Sequence, residues 1–306
     1  MVDVKEIKAV KLAPFTLMAS SISAILAFIG AILYLILFSI VGAFLPNFGA
    51  ALALLGVALV IILPIAAFFI GITTNFFSAF LYNSLVPRLG GIKLGLEGSD
   101  VTEVPVVSFA LILAVIQAIW AFIVGLVLAA ALVPFTTFLS SAIPLFSEAI
   151  VNATNASGAA APTGAVVGAA GVFGALVLII GLPIMVFIVG FIGNALAALF
   201  YNFIAIRASK IKLEFVAVKE TLFELKTIPP IPAALAIAVV FTIFGLIQGI
   251  IDLIRFSAMG DALTGLGSLI GNIIMNFIAY FIITAIAAFL YNFLVPRIGG
   301  IKLDLE

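Results

Sequence analysis

The chain has 306 residues, of which 66% are hydrophobic and only 8% charged, with a mean hydropathy of +1.46. Basic and acidic side chains number 13 each, so the balance implies no nucleic-acid partner. Cysteine and histidine are both absent, which excludes disulfides, thiol nucleophiles and the usual haem and zinc ligands, and no cofactor or metal is expected.

The first segment, "KEIKAVKL" at 5–12, is polar and strand-like. The apolar run after Lys11 is too long for the core of a cleaved signal peptide, so the first span reads as retained. Six apolar spans are predicted, at 15–44, 52–84, 107–133, 173–203, 231–256 and 265–294. At about 1.5 Å per residue each can cross a ~30 Å hydrocarbon core. Pro64 and Pro183 are expected to kink the second and fourth. Between the third and fourth spans lies a long segment, 134–172. Its Phe135, Phe138, Leu139, Ile143 and Leu145 suggest an amphipathic piece on the membrane interface. Asn152 and Asn155 begin two glycosylation sequons in that segment.

One phrase recurs. "FLYNSLVPRLGGIKLGLE" stands at 80–97, "LFYNFIAIRASKIKLEF" at 199–215 and "FLYNFLVPRIGGIKLDLE" at 289–306. Aligning Tyr82, Tyr201 and Tyr291 also aligns Pro64 with Pro183, Gly71 with Gly190, and Asn75 with Asn194 and Thr284. Each copy reads strand, helix, outer turn, helix, strand, which marks one repeated supersecondary unit. The repeats are assigned to 1–98, 99–215 and 216–306. Lys5, Lys8, Lys11, Arg88, Lys93, Arg207, Lys210, Lys212, Lys219, Lys226, Arg297 and Lys302 fall on one side of a six-span topology, and only Arg255 falls on the other. That bias places both termini in the cytoplasm and gives the hairpins one orientation, unlike inverted transporter repeats. The predicted fold is thus an all-α polytopic membrane protein of the plasma membrane, with three parallel two-helix repeats and short cytoplasmic strands flanking each hairpin.

Within the phrase, Tyr82, Tyr201 and Tyr291 are expected at headgroup level. Proline and the Gly-Gly pair are expected to stop the helix. Arg88, Arg207 and Arg297 place cations at helix C-termini beside anionic lipid. The endings "IKLGLE", "IKLEF" and "IKLDLE" alternate with period two, as half-buried strands do. The segments 92–97 and 211–218 each lead through a short turn into a second strand, reading as hairpins. Pairing 301–306 with 5–12 would close the strands into a ring under a pseudo-threefold bundle.

The phrases "YNSLVPRLGGIKLGL" (82–96) and "YNFLVPRIGGIKLDL" (291–305) resemble a small two-helix membrane family of unknown function, common in actinobacteria and with archaeal relatives. That family has a strand before its first helix, and a Tyr-Asn phrase, a Gly-Gly pair and a strand after its second. The second copy lacks the proline and both glycines. The resemblance implies the fold unit and brings no activity. The wealth of Ala, Ile, Phe and Gly without cysteine would suit a thermophilic archaeon.

Polar residues inside the spans are few. Asn75, Asn194 and Thr284 lie at one depth and would form a ring, either lining a pore or hydrogen-bonding between helices. Gln117, Gln248, Asn272 and Asn276 read in the same two ways. Asp252 and Arg255 are spaced to pair on one helix face. No nucleophile–base pair, paired carboxylates or phosphate loop is visible, so no enzyme is expected. Three roles remain: a scaffold subunit associating with lipid and with other membrane chains or itself, a passive pore or carrier, and an ion-coupled transporter, which the dearth of intramembrane carboxylates disfavours.

Overall fold

The computed structural model describes residues 3–45, 47–154 and 164–306, with side chains described outside 143–169. In chain order the elements begin with strand β1 (Asp3–Val10) and helices α1 (Leu12–Ala43) and α2 (Gly49–Leu89). Strands β2 (Lys93–Glu97) and β3 (Asp100–Glu103) follow, then helices α3 (Val106–Thr154) and α4 (Gly164–Leu176). A π-helical turn (Val177–Gly181) leads into α5 (Leu182–Phe200), and a second one (Tyr201–Ala205) into the single turn α6 (Ile206–Ala208). Last come β4 (Glu214–Ala217), β5 (Leu222–Thr227), α7 (Pro230–Ala258), α8 (Ala262–Ile298) and β6 (Lys302–Leu305).

Among the described residues, six helical stretches are long and apolar enough to cross a membrane. Their outer faces carry large apolar side chains in the open, among them Leu33, Phe69, Val127, Ile188 and Met275. Such faces need a hydrocarbon solvent.

The chain divides into two compact units, one made of 1–112 with 195–306 and one of 113–194. The first unit holds the sheet. Its strands run in the order β3-β2-β1-β6-β5-β4, every neighbour antiparallel. The expected pairing of the first and last strands is present, with Val10 opposite Leu303. The two ends of the order also meet. Val101 N–H donates to the Ile211 carbonyl and Leu213 N–H to that of Ser99, both at 2.8 Å. Asp100 thereby bridges Lys212, and the sheet forms a closed collar without a long free edge. Its apolar residues Leu96, Val101, Leu225 and Leu305 are buried. Leu96 and Val101 join a cluster around Tyr201 with Ala236 and Val240, and Leu225 joins one around Met18, Tyr291 and Val295.

Close approach between helices follows the small residues. In the first unit a Cβ on Gly71 would press on Ser20, and one on Gly249 would lie 2.7 Å from the Leu269 Cα. Dispersion and short interhelical hydrogen bonds hold such pairs, since lipid tails are as apolar as leucine. In the second unit Gly125 lies against the Leu178 carbonyl and Gly190 against Gln117 in the same way.

Two expectations need correction. Proline does not stop the helices: Pro87 and Pro296 sit inside the last turns of α2 and α8. The stop is the following glycine, as Gly90 and Gly299 both take φ +80°, a conformation without Cβ strain only for glycine. α2 continues through Pro64, and Pro183 is the second residue of α5, just after the π-helical turn Val177–Gly181. Finally, the third helix does not end near residue 133, because α3 runs unbroken to Thr154 through Pro134 and Pro144. The side chains of Ile143, Leu145 and Asn152, and the whole of Asn155, lie outside the described residues.

Candidate functional site

The recurring phrase builds the same set of contacts three times, at the junction of helices and collar. Tyr82, Tyr201 and Tyr291 are 6%, 4% and 2% exposed, so they are buried posts and not headgroup anchors. Tyr82 Oη donates to the Ile7 carbonyl at 2.7 Å and accepts from Ile92 N–H at 2.9 Å. Tyr201 joins Val101 and Ile211 at 2.6 and 3.1 Å. Tyr291 joins Leu225 and Ile301 at 2.6 and 3.0 Å. One phenol thus ties the strand before a helical hairpin to the chain leaving it.

The next residue is asparagine each time. Asn83 Oδ1 accepts from Val10 N–H and its Nδ2 donates to the Val10 carbonyl, both at 2.8 Å. Asn202 holds both backbone groups of Val104 at 2.8 Å. Asn292 holds those of Ile228 at 2.9 and 2.8 Å. An amide presents one donor edge and one acceptor edge, and so replaces a neighbouring strand for one residue. Val104 and Ile228 lie between strand and helix and Val10 is the last residue of its strand, where ladder and helix leave backbone groups to be satisfied.

The glycine pair completes the joint in the first and third copies. A Cβ on Gly91 or Gly300 would run into the carbonyl of Ile7 or Leu225, the same carbonyl that receives the tyrosine. With the chain this close, Gly91 N–H reaches Glu6 Oε1 at 2.7 Å and Gly300 N–H reaches Glu224 Oε1 at 2.9 Å. In the second copy Ser209 and Lys210 stand in place of the glycines, and Asp100 instead faces Lys212 at 3.7 Å. The backbone N–H of Gly91 holds the Glu6 carboxyl below its ordinary range. Lys226 chiefly, with Gly300 N–H, does so for Glu224. Lys11, at 2.9 Å, does so for Asp304.

A carboxyl whose pKa is lower folded than unfolded stabilises the fold above its unfolded value, and this is lost as pH falls through the folded value. The contribution of these carboxyls to the collar is therefore expected to be complete at neutral pH and to be lost as pH falls below the ordinary values of 4.5 and 3.8. Melting in detergent between pH 7 and 3 checks this. The acid-side loss should shrink in a Glu6→Gln, Glu224→Gln variant, and an unchanged profile in that variant would refute the assignment.

Arg88, Arg207 and Arg297 do lie at helix ends with exposed side chains. Arg88 donates to the Ser84 carbonyl at 3.4 Å. Arg297 donates to the Phe293 carbonyl and stacks 3.7 Å above the Phe293 ring.

Of the three residues expected at one depth, two have separate partners. Asn75 donates to Ser20 Oγ at 3.3 Å, between α2 and α1. Asn194 donates to Gln117 Oε1 at 3.2 Å, between α5 and α3. Thr284 takes part in neither bond. Each amide is thus turned to its own neighbouring helix.

Asp252 does not pair with Arg255. The close α7–α8 approach at Gly245, Gly249 and Gly265 brings neutral donors of α8 to the carboxylate first. Asp252 Oδ1 accepts from Gln248 Nε2 at 3.1 Å. Its Oδ2 accepts from Ser268 Oγ at 2.9 Å and from Asn272 Nδ2 at 3.1 Å. Asn276 Nδ2 adds a bond to the Asn272 carbonyl at 2.7 Å. Gln248 apart, the partners in this hub and those of the three asparagines lie on another element or on the backbone, out of reach of sequence spacing. The one legible cue was that asparagine follows tyrosine in all three copies.

Comparison with protein-family models, with curated proteins and with solved structures finds no match.

Proposed function

We propose that this chain is a non-catalytic integral membrane protein serving as a structural subunit of a membrane complex or homo-oligomer. In this reading three hairpins of one orientation stand on the collar, and lipid and other membrane chains, or copies of itself, are the partners. The observation that carries it is how the repeated phrase uses its polar atoms: tyrosine and asparagine of each copy are bound to the chain's own backbone. Asn75 and Asn194 support it too, since each donates to a side chain of one neighbouring helix. The distribution of Lys and Arg supports a plasma-membrane protein with the collar and both termini in the cytoplasm.

Purification in a mild detergent tests the role. A stoichiometric partner or a defined oligomer, with no solute flux from liposomes, is the expected result. A lone monomer that conducts would replace this reading by a pore. The orientation is tested separately, because the native chain has no cysteine. Lys219→Cys is expected to label only from the cytoplasm and Ser257→Cys only from outside; labelling from the same side would remove the topology.

A further inference from the structure

Asp252 is the one carboxylate among the described residues that lies within the six apolar spans. A bare negative charge there is costly unless neutralised. Its hydrogen-bond partners, Gln248, Ser268 and Asn272, are neutral. Among the described residues, no Lys or Arg forms an ion pair with it, and Arg255 three residues on is exposed. The structure thus gathers a carboxyl, a hydroxyl oxygen and two side-chain amides from two helices, with no ion-pair partner among the described residues.

We infer that the Asp252–Ser268–Asn272 cluster between α7 and α8 binds a monovalent alkali cation. The ligand chemistry is all oxygen: both Asp252 carboxylate atoms, Ser268 Oγ, and the amide oxygens of Asn272 and Gln248, which a rotation of each amide presents in place of nitrogen. Hard oxygen donors of this kind suit alkali and alkaline-earth ions. Charge selects between them. One carboxylate and one monovalent ion leave the site neutral, whereas a divalent ion leaves a net positive charge among apolar residues. Magnesium in addition sheds its water reluctantly. The close approach of α8 at Gly249 and Gly265 lets ligands of both helices reach one ion, so the ion would fasten the helix pair. This goes beyond the structural role proposed above and stands or falls separately from it.

The test is the melting temperature of the intact protein in detergent, titrated with NaCl or KCl against choline chloride at constant ionic strength. A saturable rise of about 5 °C is expected from linkage between binding and folding. Asp252→Asn should abolish the rise. Ser268→Ala should shift the midpoint of the rise to roughly tenfold higher salt, measured against that variant's own melting in choline. Equal melting of the native protein in all three salts would overturn the site, and so would a rise that persists unchanged in Asp252→Asn. The native titration alone decides if the variants fail to fold.

Discussion

A chain ending at Ile301 is expected to melt at least ~10 °C lower than the native protein and to lose protection of its N-terminal strand. β6 lies between β1 and β5 and pairs with both, so its removal opens the collar at the middle and not at an edge. Leu305 leaves a buried position, worth about 1.5–3 kcal/mol. The ladder bonds on both sides add about 0.5–1.5 kcal/mol each. Lys11 and Thr221 lose their shared partner Asp304. A total of about 5 kcal/mol corresponds to this drop for a chain of such size, at ~2–4 °C per kcal/mol. Thermal melting in detergent and limited proteolysis check it, with new cleavage expected between residues 3 and 12. Native melting and native protease resistance in the truncated protein would mean that the closed collar contributes nothing to holding the helices.

Replacing Asn292 by leucine is expected to cost about 2–5 kcal/mol, far more than replacing Asn75 by leucine. Asn292 satisfies both backbone groups of Ile228, and each stranded group costs about 1–3 kcal/mol. Asn75 makes one 3.3 Å bond to a serine that can turn to its own helix, a contact of about 0.6 kcal/mol by the measure of interhelical bonds in membranes. Asn292→Asp should fall between the two, because it keeps the acceptor for Ile228 N–H and loses the donor for the carbonyl. Melting of the three variants side by side checks the ranking. Equal losses at positions 75 and 292 would show that the amide at the helix–collar junction has no special role, and that the repeated phrase owes its asparagine to something else.

The candidate site was legible only in outline. The phrase itself, its strand endings and the partnership of residues 5–12 with 301–306 were all readable, because period-two alternation and an unpaired strand at each end leave few ways to close a sheet. What each letter of the phrase does was misread where its partner was distant. Tyrosine near a helix end suits a headgroup layer on average, yet Tyr291 is buried because Leu225 and Ile301 converge on its hydroxyl. Proline is a common helix stop, but in the last turns of α2 and α8 its missing N–H costs one bond only, and the chirality of the turn is what requires Gly90 and Gly299.

By itself the sequence determined that six stretches are apolar over a membrane's thickness, because hydrophobic transfer depends on composition and length and hardly on partners. It likewise determined where strands alternate, since one face of each must be buried. Only the tertiary structure decided which polar groups meet. Val10 and Asn83, or Asp252 and Ser268, are far apart in the chain, and directional bonds of about 3 Å form only after helices have approached at their glycines. The closure of the collar was decided at the same level. The bonds from Val101 to Ile211 and from Leu213 to Ser99 join one short strand to a segment with little strand pairing of its own, and they exist because the helix ends above hold both in reach.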